Sequence, residues 1–363
     1  MTDHERVAAA IAAFRSGEIV VVTDDDDREN EGDLILAAVH ATPEKLGFIV
    51  RHTTGIVCAP MPRATAHRLQ LPPMVAENEA PLGTAFTVSV DFRHGLTTGI
   101  SAEERCNTVR ALANPNSGPA EFVRPGHIFP LIAQDGGVLM RSGHTEAAVD
   151  LCRMAQLEPV GVLAELVNDN GSVMRGAQVA AFAQQHNLQR VSVADLIAWR
   201  QRSEKLIERV GEFAVQTAAG PAHAYAYRTP FDATQHLAIV FGDIGEGRGV
   251  PVRLHREAVV EDVFGTHTAL DAMIARLAGN GRGVVVYLRE NSVGVAEASR
   301  RARDAVKGAD SSAARGEEWR EVGVGAQILR DLGVKSIKLI ASRERRYVGL
   351  DGFGIEIDST EIA

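Results

Sequence analysis

Six aspartates and glutamates and one arginine precede Asp33 in the segment TDDDDRENEGD at residues 23–33, directly after the apolar run IVVV at 19–22. Like charges at this density repel one another and oppose compaction unless something positive is held among them. The chain must therefore place a buried strand and a carboxylate-rich loop end to end. The loop reads either as a solvated turn or as a hard-cation site whose oxygen ligands these carboxylates supply.

Apolar residues Val7, Ile11 and Phe14 recur at helical spacing before that strand. Beyond it, LILAAV, GIVCAPM, AFTVSVDF, HIFPLIA and VGVLAELV read as strands, separated by helical stretches such as SAEERCNTVRALA and TEAAVDLCRMA. This mixture predicts an α+β domain closing with a helix from Val193 to about Glu204. The charged, weakly patterned SEKLIERVGEF then reads as a hinge. A length of 363 residues accommodates two domains, placed here at 1–204 and 205–363. In the second, QHLAIVFGDI, VPVRLH, GVVVYL and SIKLIA predict strands with two intervening helices, and no internal repeat links it to the first. The polar, small-residue segment KGADSSAARGEEWRE between Lys307 and Glu321 predicts a mobile loop.

The net charge of -9 comes without a basic stripe, which argues against nucleic-acid binding. Cys58, Cys106 and Cys152 form no CxxC pair, so reduced thiols are expected and zinc held by cysteine is not. No apolar run approaches the ~20 residues that span a bilayer, so a cytoplasmic protein without membrane contact is expected.

Three further polar features stand out. RPGHIFP at 124–130 places His127 in what reads as a tight Pro-Gly turn, and RSGHTE at 141–146 gathers Arg141, His144 and Thr145 around a glycine at a helix start. The second arrangement suits a phosphate cradle, or equally a plain N-cap with a surface histidine. Glu165 interrupts the apolar run VGVLAELVND. A buried carboxylate is expensive, which suggests an acid or base, although a strand end would also leave it partly solvated.

Taken in order, DDDDRENEGD, RHTTGIVCAPM, TAFTVSVDF with TTGISAEER, RPGHIFPL, RSGHTEAAVDL and GVLAELVNDNGSVMR resemble the motif set of the 3,4-dihydroxy-2-butanone 4-phosphate synthase family, over nearly all of residues 5–200. The resemblance implies an α+β fold, a homodimer with sites near the subunit interface, Mg²⁺ or Mn²⁺ as cofactor, and conversion of D-ribulose 5-phosphate to L-3,4-dihydroxy-2-butanone 4-phosphate and formate in riboflavin biosynthesis. Carried over by position, it implies that Arg28 and Glu29 bind the sugar phosphate and the metal, and that Asp33 touches the substrate. Arg141, Ser142, Gly143, His144 and Thr145 match the family's phosphate and metal segment, with His144 the second protein ligand of the metal. His127 and Glu165 match the residues that carry proton transfers, and Cys58 and Thr98 match positions lining the site. Cys58 reads equally as a small buried hydrophobe.

Residues 206–363 resemble GTP cyclohydrolase II, most clearly in VPVRLHREAVVEDVFGTH, GVGAQILRDLGVKSIKLI and RRYVGLDGFGI. That family holds catalytic zinc through three cysteines, and the matching positions here are Ala258, Ala269 and Asp271. His255 and His267 with Asp271 read either as a metal site or as scattered surface histidines. The family's glutamine- and glycine-rich turn is here RENSVGVA, its catalytic tyrosine aligns with Asp304, and its nucleotide-phosphate arginine and acidic partner align with Arg320 and Glu318. The expectation is a second domain that binds no zinc, is inactive on GTP, and serves a structural or regulatory role.

Overall fold

Runs rich in valine, isoleucine and leucine become the centres of two mixed sheets, one in each of two units, Met1–Trp199 and Arg200–Ala363. The computed structural model describes residues 3–24, 29–230, 232–265, 269–289, 323–341 and 354–362.

In the first unit the strands are β1 (Val20–Thr23), β2 (Gly32–Ala37), β3 (Cys58–Pro62), β4 (Val90–Phe92), β5 (Phe122–Ala133), β6 (Gly161–Glu165) and β7 (Gln189–Ser192). They lie in the order β4-β5-β3-β6-β2-β1-β7. The pairs β3·β5 and β1·β7 are parallel, and the rest are antiparallel. Every residue of β2 is buried, which its unbroken LILA run anticipates for a strand covered on both faces. Leu34, Leu36, Val162 and Ala164 from the sheet join Leu46, Ile49, Val109 and Leu112 from helices Pro43–His52 and Ala102–Ala113 in one core. At full burial each such side chain contributes about 1.5–3 kcal/mol of transfer free energy. Ser101 and Glu104 form a capping box at the second of these helices, which fixes where it starts.

Two expectations change here. RPGHIFP is not a turn but the interior of β5, because Gly126 lies against the neighbouring strand: a Cβ on it would stand 2.0 Å from the Val90 carbonyl carbon. AFTVSVDF forms a strand only at Val90–Phe92, while Phe86 and Thr87 make isolated bridges to Leu131 and Pro73.

In the second unit, β8 (Glu208–Thr217), β9 (Gly220–Thr229), β10 (Asp232–Gly242), β11 (Val250–Arg256), β12 (Arg282–Leu288), β13 (Ser336–Ala341) and β14 (Glu356–Ile362) lie in the order β14-β13-β11-β12-β10-β9-β8. Tyr227, Val240, Val252, Val284, Leu329 and Ile337 pack in one cluster, and Phe241, Met273, Leu277, Val285 and Ile340 in another. Much of the expected hinge SEKLIERVGEF is strand: β8 begins at Glu208 and pairs with β9. The approach to it is fastened as well. Gln327, buried in the helix at 323–331, accepts from the Leu206 N–H (2.6 Å) and donates to the carbonyls of Gln201 (2.9 Å) and Glu204 (2.8 Å). The segment 307–321, expected to be a mobile loop, lies outside the described residues.

Candidate active site and cation centre

The acidic run closes on its own first member. Asp24, buried just after β1, accepts the backbone N–H of Glu29 at Oδ2 (3.0 Å) and that of Glu31 at Oδ1 (2.8 Å). Across from it, helix His144–Met154 begins with a buried imidazole whose Nδ1 lies 4.0 Å from Glu29 Oε2 and 3.7 Å from Asp33 Oδ1. Asp24, Glu29 and His144 each offer one ligand atom, all within 4.8 Å of one another. Two carboxylates and one imidazole form a donor set suited to a hard divalent cation that keeps positions open for other oxygens.

Asp33 carries the strongest electrostatic signature. It is 2 % exposed, and its Oδ1 accepts no hydrogen bond among the described residues. Burial pushes its carboxyl well above the usual carboxylate range, and the negative charges of Glu165, Glu29, Asp24 and Glu31 push it further. A carboxyl in such surroundings calls for a proton or a cation nearby.

The sheet register brings the remaining groups into line. Asp33 stands opposite Glu165 in the antiparallel β2·β6 pair, and Cys58 stands opposite both Leu163 of β6 and Phe129 of β5. His127 lies two residues before Phe129 in β5, the strand that runs parallel to β3. Thr54 braces Glu165: its hydroxyl donates to Oε2 (2.8 Å) and its N–H to the backbone carbonyl (2.9 Å). Burial first, then Glu165 and Asp33, pushes the Cys58 thiol up, so it stands beside the site as a neutral thiol. His127 is half-exposed and bonded through Nδ1 to Asp91 Oδ2 (2.7 Å).

The RSGHTE segment forms a helix start with Gly143 at the N-cap and no side-chain cap bond, an end of the kind whose backbone N–H groups and dipole suit an anion. Arg141 is held beside it by the buried Glu146 (Nη1 to Oε2, 2.7 Å), by Thr84 Oγ1 and by the Leu82 carbonyl (both 3.2 Å from Nη2). Its Nε–H takes no part in these bonds. Ser142 is half-buried, and Thr145, the second residue of the helix, is buried.

Glu29, Asp33, Cys58, His144 and Glu165 thus converge, and His127 stands on β5 two residues before Phe129, the partner of Cys58. Thr98 is exposed in a bend, and its neighbour Gly99 abuts Asp91 and His127. Arg28 lies outside the described residues. Sequence reasoning passed over Asp24, Asp91 and Glu146. Asp24 was visible as the strand-end member of the acidic run, whereas Asp91 sits inside an apolar strand pattern and Glu146 inside an ordinary helix.

In the second unit, the N–H of Ala258 donates to Asp262 Oδ2 (2.8 Å), the oxygen that also accepts from the Tyr287 hydroxyl (2.7 Å). His255 Nε2 lies 2.9 Å from Asp262 Oδ1, and its ring stacks on Tyr287 at 5.3 Å between centroids. His255 is therefore a largely buried partner of Asp262 rather than a surface histidine, and Asp271 sits in helix Ala269–Gly279. His267, Asp304, Glu318 and Arg320 lie outside the described residues.

Comparison with known proteins divides the chain in the same way. The profile described as 3,4-dihydroxy-2-butanone 4-phosphate synthase matches residues 8–199, and that of GTP cyclohydrolase II matches residues 208–361. The chain is 47 % identical to the bifunctional riboflavin biosynthesis protein RIBA 1, chloroplastic, of Arabidopsis thaliana, over 97 % of this chain and 67 % of that one. It is 46 % identical to the monofunctional riboflavin biosynthesis protein RIBA 2, chloroplastic, of the same organism, over 97 % and 75 %. Among solved structures, RibBX, a two-domain 3,4-dihydroxy-2-butanone 4-phosphate synthase from A. baumannii, aligns over 99 % of this chain and 100 % of its own, with TM-score 0.84 and 37 % identity. A 3,4-dihydroxy-2-butanone 4-phosphate synthase in complex with two magnesium ions aligns over 54 % of this chain and 97 % of its own, with TM-score 0.53 and 45 % identity.

Proposed function

The chain belongs to the 3,4-dihydroxy-2-butanone 4-phosphate synthase family of riboflavin biosynthesis and is an enzyme of that kind, and we propose that Glu29, Asp33, His127, Arg141, His144 and Glu165 carry its reaction. The single observation behind this reading is the convergence of Asp24, Glu29, Glu31 and Glu165 on the buried Asp33 beside His144. Such a concentration of negative charge around an imidazole is costly without a cation and useful with one.

Glu29 and His144, with Asp24 beside them, would hold Mg²⁺ or Mn²⁺; when bound, the ion supplies Lewis-acid stabilisation of negative charge on substrate oxygens. Conversion of D-ribulose 5-phosphate to L-3,4-dihydroxy-2-butanone 4-phosphate and formate moves protons at carbons next to a carbonyl. Glu165, braced by Thr54, and His127, braced by Asp91, serve as the acid and base for those transfers. Arg141 and the backbone N–H groups at the start of helix His144–Met154 bind the phosphate, so that remote binding orients the reacting carbons. Ser142, Gly143 and Thr145 belong to this cradle, and Arg28, Cys58 and Thr98 complete the proposed substrate set.

The second unit is read as inactive on GTP and as structural or regulatory. Ala258, Ala269 and Asp271 supply no thiolate, and Asp262 instead gathers Ala258, His255 and Tyr287 into a network of its own. The existence of a relative named monofunctional and of a two-domain synthase aligned along the whole chain supports this reading, while a relative named bifunctional makes it worth testing. The junction is placed near residue 205, and a cytoplasmic homodimer is the proposed state. No described helix is long and apolar enough to cross a membrane.

The test is formate release from D-ribulose 5-phosphate with and without Mg²⁺, for wild type and Glu29→Ala, beside a GTP assay on the same preparation. Metal-dependent formate that falls at least about 100-fold in Glu29→Ala is expected, with no GTP turnover. Undiminished formate from the variant would remove Glu29 from the cation site, and GTP turnover would overturn the inactive second unit.

A further inference from the structure

Asp91 is nearly sealed from solvent, and both its oxygens are committed to one residue. Oδ1 accepts the backbone N–H of His127 (2.8 Å), and Oδ2 lies 2.7 Å from His127 Nδ1. An ionised carboxylate only accepts, so the ring nitrogen facing it carries the hydrogen. Two neighbours keep this arrangement in place. Gly99, at φ +83°, presses its backbone onto the pair: a Cβ there would stand 2.1 Å from Asp91 Oδ2 and 2.7 Å from His127 Nδ1. Arg105, buried in helix Ala102–Ala113, donates to the Gly55 carbonyl (3.1 Å), keeps an Nε–H without a partner among the described residues, and attracts Asp91 electrostatically. The Arg105 guanidinium is thus a buried positive charge on one side of Asp91. The imidazole on the other side remains half-exposed.

We propose that Asp91 is a positioning residue for the reaction: acting through His127, it holds the imidazole as the Nδ1–H tautomer and leaves Nε2 as the nitrogen able to take a proton. The proposal rests on the reading of His127 as a proton carrier. A carboxylate placed merely to pin β4 against β5 needs only the backbone N–H. The second bond, to the ring, has a further consequence, because it selects a tautomer and a ring orientation together.

The experiment uses the full-length, Mg²⁺-loaded protein and the variants Asp91→Asn, Asp91→Glu, His127→Gln and His127→Gln/Asp91→Asn. Asn matches Asp in shape but presents an N–H to Nδ1, which favours the opposite tautomer. Asp91→Asn is expected to lower kcat about 10²- to 10⁴-fold with little change in KM, and Asp91→Glu to restore part of the rate. The double variant should be no slower than His127→Gln alone. Ring ¹⁵N NMR should place the His127 hydrogen on Nδ1 in the wild type and move it to Nε2 in Asp91→Asn, independently of turnover. An unchanged tautomer, or losses that multiply in the double variant, would overturn the proposal. A slow His127→Gln beside a fast Asp91→Asn would defeat the positioning role alone, whereas a fast His127→Gln would defeat the proton-carrier reading beneath it.

Discussion

A carboxyl as buried as Asp33, with an oxygen that accepts no hydrogen bond among the described residues, is a site where stability and chemistry pull apart. Asparagine keeps the shape and removes the ionisable group. In metal-free protein, Asp33→Asn is expected to stabilise the first unit by about 1–3 kcal/mol, seen as a higher urea midpoint at unchanged m-value, while formate release falls at least about 100-fold. A variant less stable than the wild type without metal would show that Asp33 is already compensated inside the fold. Residues of this kind are half-legible in sequence. The acidic run announces Glu29 and Asp33 because so many carboxylates stand together, and Glu165 is conspicuous in an apolar strand. Asp91 is not, because its meaning comes from a partner 36 residues away that only β4·β5 pairing brings near.

At the scale of elements, the helix at 323–331 is bonded to β8 and β9 through one aspartate. Arg209 donates to Asp331 from Nε (3.0 Å) and Nη2 (2.8 Å), and the buried Tyr227 donates its hydroxyl (3.0 Å). Burial opposes ionisation of Asp331, but the bonds from Arg209 and Tyr227 prevail and hold its carboxyl below the usual range. A depressed folded value means that this stabilisation is complete above the unfolded value of about 3.9 and is lost as pH falls through the folded one. Asp331→Asn should therefore lower stability by about 1–3 kcal/mol at pH 7, with a gap that narrows below about pH 4. A gap independent of pH would exclude the charge as its source. The elements legible in sequence were those buried on both faces, such as β2, β6 and β12, whose apolar runs are unbroken apart from their ends. Much of the edge strand β8 read as a charged hinge because an exposed strand needs no apolar pattern. In β5 the Pro-Gly pair signalled a turn, and contact with Val90 overrode it.

For the whole molecule, the candidate cation ligands Asp24, Glu29 and His144 all lie in the first unit, and each unit has its own core. Calorimetry should resolve two transitions, and Mg²⁺ at 100 times its dissociation constant should raise only the first unit's stability, by about 2.7 kcal/mol. Chelation should reverse that rise and leave the other transition in place. Movement of both transitions together would mean that the units unfold as one.

The glutamine fastening at Gln327 bears on how such a chain can be divided or rearranged. Helix Val193–Ser203 starts among core residues of the first unit, including Leu196, yet from Gln201 onward its backbone is bonded into the second. A protease nick or gene fission at 205 would strip Gln327 of the backbone partners at Gln201 and Glu204, while one placed before Gln201 would shorten the closing helix of the other half.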